Sequence, residues 1–496
     1  MRPQTTASAF GTLPGKTLIV LGCLLTLQSM TGISAETTFT LLASFTGTNG
    51  LAPGSVPESR LLLACDGNFY GTTMSGGASN LGTVFRINPN GTFSVLTSLT
   101  ALTGYEPQSG LIEGVDGQLY GTTGWGGANG AGTAFRMTTN GQLAAFAALD
   151  WTNGATPNGV IQVHDKTLYG TAWQGGTNGY GQFGTVFRLT TNGNLAAIYC
   201  FGTRTNADGV SLDGQGPQAP LVEASDGALY GTTTAGGTNG GFGTVFRITT
   251  NGSFTSLASL AGTNGANPVG ALLEASDGSL VGTTSGGGIG FNGSAYSGNG
   301  TIFKVTKSGF LTTLHFFNGY PTDGAVPEFV ELTPGTDGAW YGTTFYGGAG
   351  GSGMVFRMTR AGAVDIVYSF TREDQSGTNA DGGMPWAGLI QAGNGNLYGV
   401  AGSGGAYGFG TVYCLSNAAF AQPFIQTISH TNTTTLLAWT PLPDRAYQLQ
   451  YKSNFDDSAW MNVGLAVTET NRSAISIDST AAGLSRIYRL HLLPQN

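Results

Sequence analysis

Asp116-Gly117-Gln118-Leu119-Tyr120-Gly121-Thr122-Thr123 is followed, after a glycine-rich stretch, by Gly132-Thr133-Ala134-Phe135-Arg136-Met137, and this passage decides the fold. Upstream lies a short apolar run, Leu111-Ile112-Glu113-Gly114-Val115, read as strand A. Asp-Gly is a strong hairpin-turn signal, so Leu119 to Thr123 reads as strand B. Gly132 to Met137 reads as strand C, Asn140-Gly141 as a second tight turn and Leu143 to Leu149 as strand D. The tyrosine position of strand B returns at Tyr70, Tyr120, Tyr169, Tyr230, Val281, Tyr341 and Tyr398, at spacings of 50, 49, 61, 51, 60 and 57. Four antiparallel strands per ~50 residues is the size of one propeller blade.

The seventh unit stops after its strand C, Gly410 to Leu415. Its missing strand stands at the other end of the chain, where Thr38 to Gly50 closely matches Ser253 to Gly265. An N-terminal strand completing the last blade would close a ring and remove its open edges. The expected fold is therefore all-β: a seven-bladed β-propeller, four strands per blade, closed by the N-terminal strand. An open β-solenoid is the competing architecture, but it gives no reason for the split.

Composition agrees. Of 496 residues 83 are glycine and only 9% are charged, against a usual ~25%. Amphipathic helices need a charged face and avoid glycine. A hydrophobic share of 40% and a net charge of −8 exclude wholesale disorder.

Together, Asp-Gly-x-Leu-Tyr-Gly-Thr-Thr, Gly-Gly and Gly-Thr-Val-Phe-Arg resemble the GloVer-type tandem repeat of secreted choice-of-anchor bacterial proteins. The resemblance spans residues ~37–416 and implies an exported protein of propeller type. It brings no activity, substrate or catalytic residue with it. Some members carry a C-terminal anchor, and no apolar tail or basic end is read here.

The division expected is residues 1–35 as a signal peptide, 36–420 as the propeller and 421–496 as a small β-sandwich similar to a fibronectin type III module. Arg2, Lys16, the apolar run Thr17 to Leu27 and Ile33-Ser34-Ala35 make the signal. A lipobox reading around Cys23 ranks second. No other membrane span is read, and secretion or the cell surface is the expected location. Losing Arg2 and Lys16 takes the charge from −8 to −10, which argues against nucleic acid and against anionic lipid as partners. Residues 421–496 alternate polar and apolar positions, as in Tyr447, Leu449 and Tyr451, with turns every ~10 residues.

Recurring charges read as structure. Asp66, Asp116, Asp226, Asp277 and Asp337 each precede glycine in a turn. Arg86, Arg136, Arg188, Arg247, Lys304 and Arg357 share one position of strand C, and Glu113, Glu223, Glu274 and Glu331 one position of strand A, with Gln162 and Gln391 in two others. Inter-strand or inter-blade polar pairs are expected, because pairing is the way to bury such groups. The competing reading is a carboxylate ring at the channel, able to hydrolyse a glycan. Three G-x-G-x-x-G matches, from Gly179, Gly288 and Gly348, lack a following helix and are rejected as nucleotide sites. His164, His315, His430 and His491 sit in no nucleophile or metal pattern. Cys65, Cys200 and Cys414 fit no zinc or disulfide framework. Loop acids Asp208, Asp213, Glu373, Asp374 and Asp381 have calcium-type oxygens but not the spacing of a calcium loop. No cofactor is expected.

The A–B and C–D turns are short, whereas the B–C and D–A loops are long and variable, and up-and-down connectivity puts both long classes on one face. Function favours such loops. Trp125, Trp173, Tyr346 and Phe345 near the Gly-Gly of B–C, Tyr180 in a B–C loop and Trp386 before the last blade supply rings that stack on sugars or anchor a protein. The alternative is that each ring covers its own loop. The expected function is a monomeric, non-catalytic, secreted binding or adhesion protein for an extracellular glycan or surface protein. A propeller glycan hydrolase or lyase is the alternative, and an architectural envelope component the third reading.

Overall fold

A computed structural model describes residues 10–13, 16–19, 37–177 and 183–417, and beyond them chiefly the strands of the C-terminal segment. Most of the expected signal peptide, and Tyr180, lie outside the described residues. Near the N-terminus, Phe10–Leu13 pairs with Lys16–Ile19.

Seven four-stranded antiparallel sheets follow one another, each in the order A-B-C-D. Blade 1 is Leu62–Leu63, Phe69–Thr73, Thr83–Ile87 and Phe93–Ser98. Blade 7 takes Ile390–Gln391, Leu397–Ala401 and Thr411–Ser416 from the end of the repeats and Thr38–Ser44 from the beginning. The closing strand runs antiparallel to strand C, with Thr38 opposite Ser416 and Ser44 opposite Thr411. Closure by the N-terminal strand is thus as expected.

No large core fills the ring. Instead, seven apolar clusters each straddle two neighbouring blades, and the last joins blade 7 to blade 1 through Phe45, Phe69, Phe85, Tyr398 and Val412. The repeat consensus explains how they pack. In strand B the glycine lies opposite the strand C phenylalanine, as Gly71 faces Phe85 and Gly121 faces Phe135. A Cβ on Gly71 would stand 2.5 Å from the Phe85 ring, so glycine makes room for a ring of its own blade. The next two threonines are also placed. Thr122 Oγ1 donates to Pro157 O of the following blade at 3.2 Å, while Thr123 and Thr133 hydroxyls meet at 2.9 Å within the blade.

A proline joint repeats around the ring. The glycine opening each strand C would put a Cβ within about 2.6–3.1 Å of the next blade's proline, from Gly82 against Pro107 through to Gly410 against Pro57. The residue before each proline has positive φ: Val56, Glu106, Thr156, Gly216, Asn267, Val326 and Met384. For valine or threonine this is a strained conformation. Hydrogen bonds hold it in place. Val56 N donates to Phe409 O at 3.1 Å in the preceding blade, and Val56 O accepts from Met74 N at 3.0 Å in its own.

Beyond the propeller, Phe424–His430, Thr435–Thr440 and Ala474–Asp478 form one three-stranded antiparallel sheet. Ala446–Lys452, Met461–Thr468 and Ile487–Leu492 form another.

Candidate functional site: the long-loop face and the channel mouth

The expected charge pairing is present but with different partners. Strand B lies between A and C, so an A-strand acid cannot meet a C-strand arginine across a single ladder. The arginine reaches past B to the turn aspartate instead. Arg357 Nε lies 2.7 Å from Asp337 Oδ2, and the Tyr341 hydroxyl donates to the same oxygen at 2.9 Å. The Tyr70, Tyr120 and Tyr230 hydroxyls do likewise with Asp66, Asp116 and Asp226 at 2.8 Å. Blade 5 replaces tyrosine with Val281, and Lys304 contacts Asp277 directly; that hydrogen bond holds the Asp277 carboxyl down to about 2. The A-strand acids staple neighbouring blades. Glu113 accepts from Cys65 N at 2.8 Å, Gln162 from Val115 N at 2.8 Å, Glu223 from His164 N at 3.3 Å, Glu274 from Ser225 N at 2.7 Å and Gln391 from Thr336 N at 2.8 Å.

Glu331 does not share the strand A position expected of it: in blade 6 that position is Pro334, opposite Trp340, and Glu331 precedes the strand. It binds Arg60 Nη1 at 2.7 Å, while Arg60 Nε donates to Leu389 O at 2.8 Å. Both side chains line a cavity of about 560 Å³ walled by residues leading into or forming strand A of all seven blades. This is the central channel. The side chains just after the conserved proline face it in five blades: Glu58, Gln108, Asn158, Gln218 and Val269. The other two are Glu328 and Trp386.

Glu58 is the residue that the sequence reading missed. It is 9% exposed, and its Oε1 has no hydrogen-bond partner. Burial, with the Glu328 and Glu106 carboxylates nearby, pushes its carboxyl up to about 8. Burial raises the Glu328 carboxyl as well. Trp386 stands between Glu328 and Glu58 in blade order. Its ring packs on Phe345 at 5.3 Å and Phe329 at 6.4 Å, and its buried Nε1 also has no partner.

The long loops do share one face. In most blades an antiparallel bridge ties the D–A loop to the B–C loop, as in Ser55 with Ser75, Tyr105 with Trp125 and Ala325 with Tyr346. Of the fifteen large apolar side chains exposed on the propeller among the described residues, ten belong to these loops or their edges, among them Trp151, Trp173, Tyr296, Tyr320, Tyr346 and Tyr407. Trp173 is 37% and Tyr346 47% exposed. Trp125 is half-buried and Phe345 buried. The expected rings thus divide: Phe345 and Trp386 join one cluster beside the channel, with Tyr346 at its edge, while Trp173 lies over Gly216 of the next blade.

Several loop acids are engaged internally. Asp213 accepts from the Tyr199, Thr203 and Ser211 hydroxyls and from two backbone amides, and Asp381 from the Tyr368 and Thr371 hydroxyls. His164 and His315 pair with Glu223 and Asp323 at 2.6 and 2.9 Å. Cys65, Cys200 and Cys414 form no disulfide with one another. Among the described residues no helix is long and apolar enough to cross a membrane.

A family profile described as Gloeobacter/Verrucomicrobia repeat matches residues 22–183, 182–297 and 290–436. No curated protein sequence matches. Among solved structures, a putative 6-phosphogluconolactonase from Bacteroides uniformis ATCC 8492 is similar at a TM-score of 0.43 and 14% identity, over 80% of this chain and 95% of that one. An ulvan lyase gives 0.42 and 11%, over 73% and 93%. A protein of unknown function from Bacteroides thetaiotaomicron VPI-5482 gives 0.40 and 10%, over 77% and 76%.

Proposed function

Since the chain belongs to the Gloeobacter/Verrucomicrobia repeat family, we propose that it is an exported binding protein holding a polysaccharide on its long-loop face. One observation supports this reading above the rest: exposed apolar side chains, most of them rings, concentrate on that face. The opposite face, made of A–B and C–D turns, exposes only Val115 and Phe310 of this kind among the described residues. Flat rings held on rigid, bridged loops suit stacking on sugars. Residues 1–35 serve export, and the two C-terminal sheets serve as a fibronectin type III-like spacer. Neither a metal nor a cofactor enters the reading.

The test is polysaccharide binding by the full chain and by a Trp173→Ala/Tyr346→Ala double variant. The expected loss is about tenfold, from two contacts of ~0.5–1.5 kcal/mol each. Equal binding by the double variant overturns the assignment.

A catalytic reading rests on a different observation. A carboxyl pushed up to about 8 by burial, as that of Glu58 is, suits the proton-holding state that a general acid requires. Polysaccharide turnover by the wild type, lost in Glu58→Gln, would establish it.

A further inference from the structure

We propose that the channel mouth over blades 6, 7 and 1 takes a protonated amine carried on a hydroxylated ligand, an amino sugar of the polysaccharide assigned to the face above it. The inference rests on that assignment and adds the chemistry of one subsite.

Charge is the first ground. Glu58 lines the cavity, and the Glu328 carboxylate of blade 6 and the Glu106 carboxylate at the entry to blade 2 act on it electrostatically. The cation in the cavity wall, Arg60, is already taken by Glu331 and the Leu389 carbonyl. A cation arriving from solution would therefore meet acids with no counter-ion of their own, in a site where burial strengthens the attraction.

Unspent polar atoms are the second ground. Buried polar atoms are ordinarily hydrogen-bonded, and exceptions call for an explanation. Glu58 Oε1 and Trp386 Nε1 are both buried and unpartnered, and Glu58 is nine-tenths buried against the cavity. Beside an ammonium group the Glu58 carboxyl gives up its proton to solvent, and its oxygen then accepts from that donor. An indole N–H needs an acceptor, which a neighbouring hydroxyl supplies. An amino sugar carries both groups.

Shape is the third ground. The acids come from three blades, and among the described residues no three acids form a metal-holding group, so the spread suits a cation larger than a bare ion. Phe329, which packs on Trp386, lines the cavity together with Glu58 and offers a ring to an ammonium group and its methine neighbours. The cavity volume of about 560 Å³ falls within the range of small-molecule sites. A wholly neutral sugar would satisfy Trp386 but leave the acids uncompensated.

The experiment is calorimetric titration of the full chain with a glucosamine trimer and with its N-acetylated counterpart, which lacks the charge. The charged trimer is expected to bind at least about tenfold more tightly, and both Glu58→Gln and Glu328→Gln to remove the preference without lowering the melting temperature. Equal or tighter binding of the N-acetylated trimer overturns the proposal, as does a preference that survives Glu58→Gln. Calcium binding that competes with the charged trimer also overturns it, by assigning the acids to a metal ion. Polysaccharide binding that depends on Trp173 and Tyr346 but shows no amine preference leaves the function reading standing and removes this one. No binding of any sugar removes both.

Discussion

Tyr413 occupies the strand C position that six other blades give to phenylalanine, and its extra oxygen has no use there. The side chain is fully buried among Phe39, Tyr368 and Phe370, with ring centroids 5.7 Å from Phe39 and 5.2 Å from Phe370. Its hydroxyl has no hydrogen-bond partner, and burial raises its pKa far above the ordinary range. A Cβ on Gly399 would stand 2.5 Å from that oxygen, the distance at which other blades place the phenylalanine Cζ. Leaving a buried hydroxyl unsatisfied costs ~1–3 kcal/mol. Removing the oxygen opens a void smaller than one methylene, which offsets part of the gain. Tyr413→Phe is therefore expected to stabilise the protein by ~1–2 kcal/mol. The reverse change, Phe356→Tyr, places an orphan hydroxyl in blade 6 and is expected to cost a similar amount. Guanidinium unfolding followed by tryptophan fluorescence would read both as opposite shifts of the midpoint at constant slope. A lower midpoint for Tyr413→Phe, or shifts of the same sign in both variants, refutes the reasoning.

Other expectations follow from the same contacts. Phe45→Ala empties the cluster joining blade 7 to blade 1, so ~3–5 kcal/mol should be lost; deletion of residues 36–46 should cost more, and unchanged thermal stability in the deletion would disprove ring closure. Asp337→Ala leaves Arg357 its 3.7 Å contact with Asp365 but removes the acceptor of the Tyr341 hydroxyl and should destabilise by ~1–3 kcal/mol, which urea unfolding will show. Glu58 binds its proton more tightly when folded, up to about 8, than an unfolded glutamate near ~4.3. Its contribution is therefore full below the unfolded value and falls as pH rises through that window, by a few kcal/mol in all. Glu58→Gln should flatten the decline in melting temperature between those limits, and an unchanged slope would contradict the placement.

The repeat was legible because its glycines and turn aspartates recur in order, and the closing strand because Thr38 to Gly50 copies an internal segment. Partner identity was not legible. Arg357 and Glu331 read as a pair in the sequence, yet strand B sends the arginine to Asp337, and Glu331, displaced from the strand A register by Thr333–Pro334, meets Arg60 instead. The channel acids were hidden for another reason. Pro57, Pro107, Pro157, Pro217, Pro268, Pro327 and Pro385 mark a fixed register inside loops of variable length, and that register alone could have shown that Glu58, Glu328 and Trp386 are equivalent. Burial of Glu58 needed the ring itself, since nothing local distinguishes it from a solvated loop acid.

The joint between the first and last strands also sets a timetable. Strand Thr38–Ser44 pairs with residues 411–416, so the propeller's first strand must wait for almost the whole repeat array before it meets its neighbour. Contacts so distant in sequence form late and slowly. Until then the unfinished chain carries two open β edges able to capture one another in a second molecule. Swapped dimers, each closing the other's ring, are the characteristic error of this design, and their yield should rise with chain concentration during refolding.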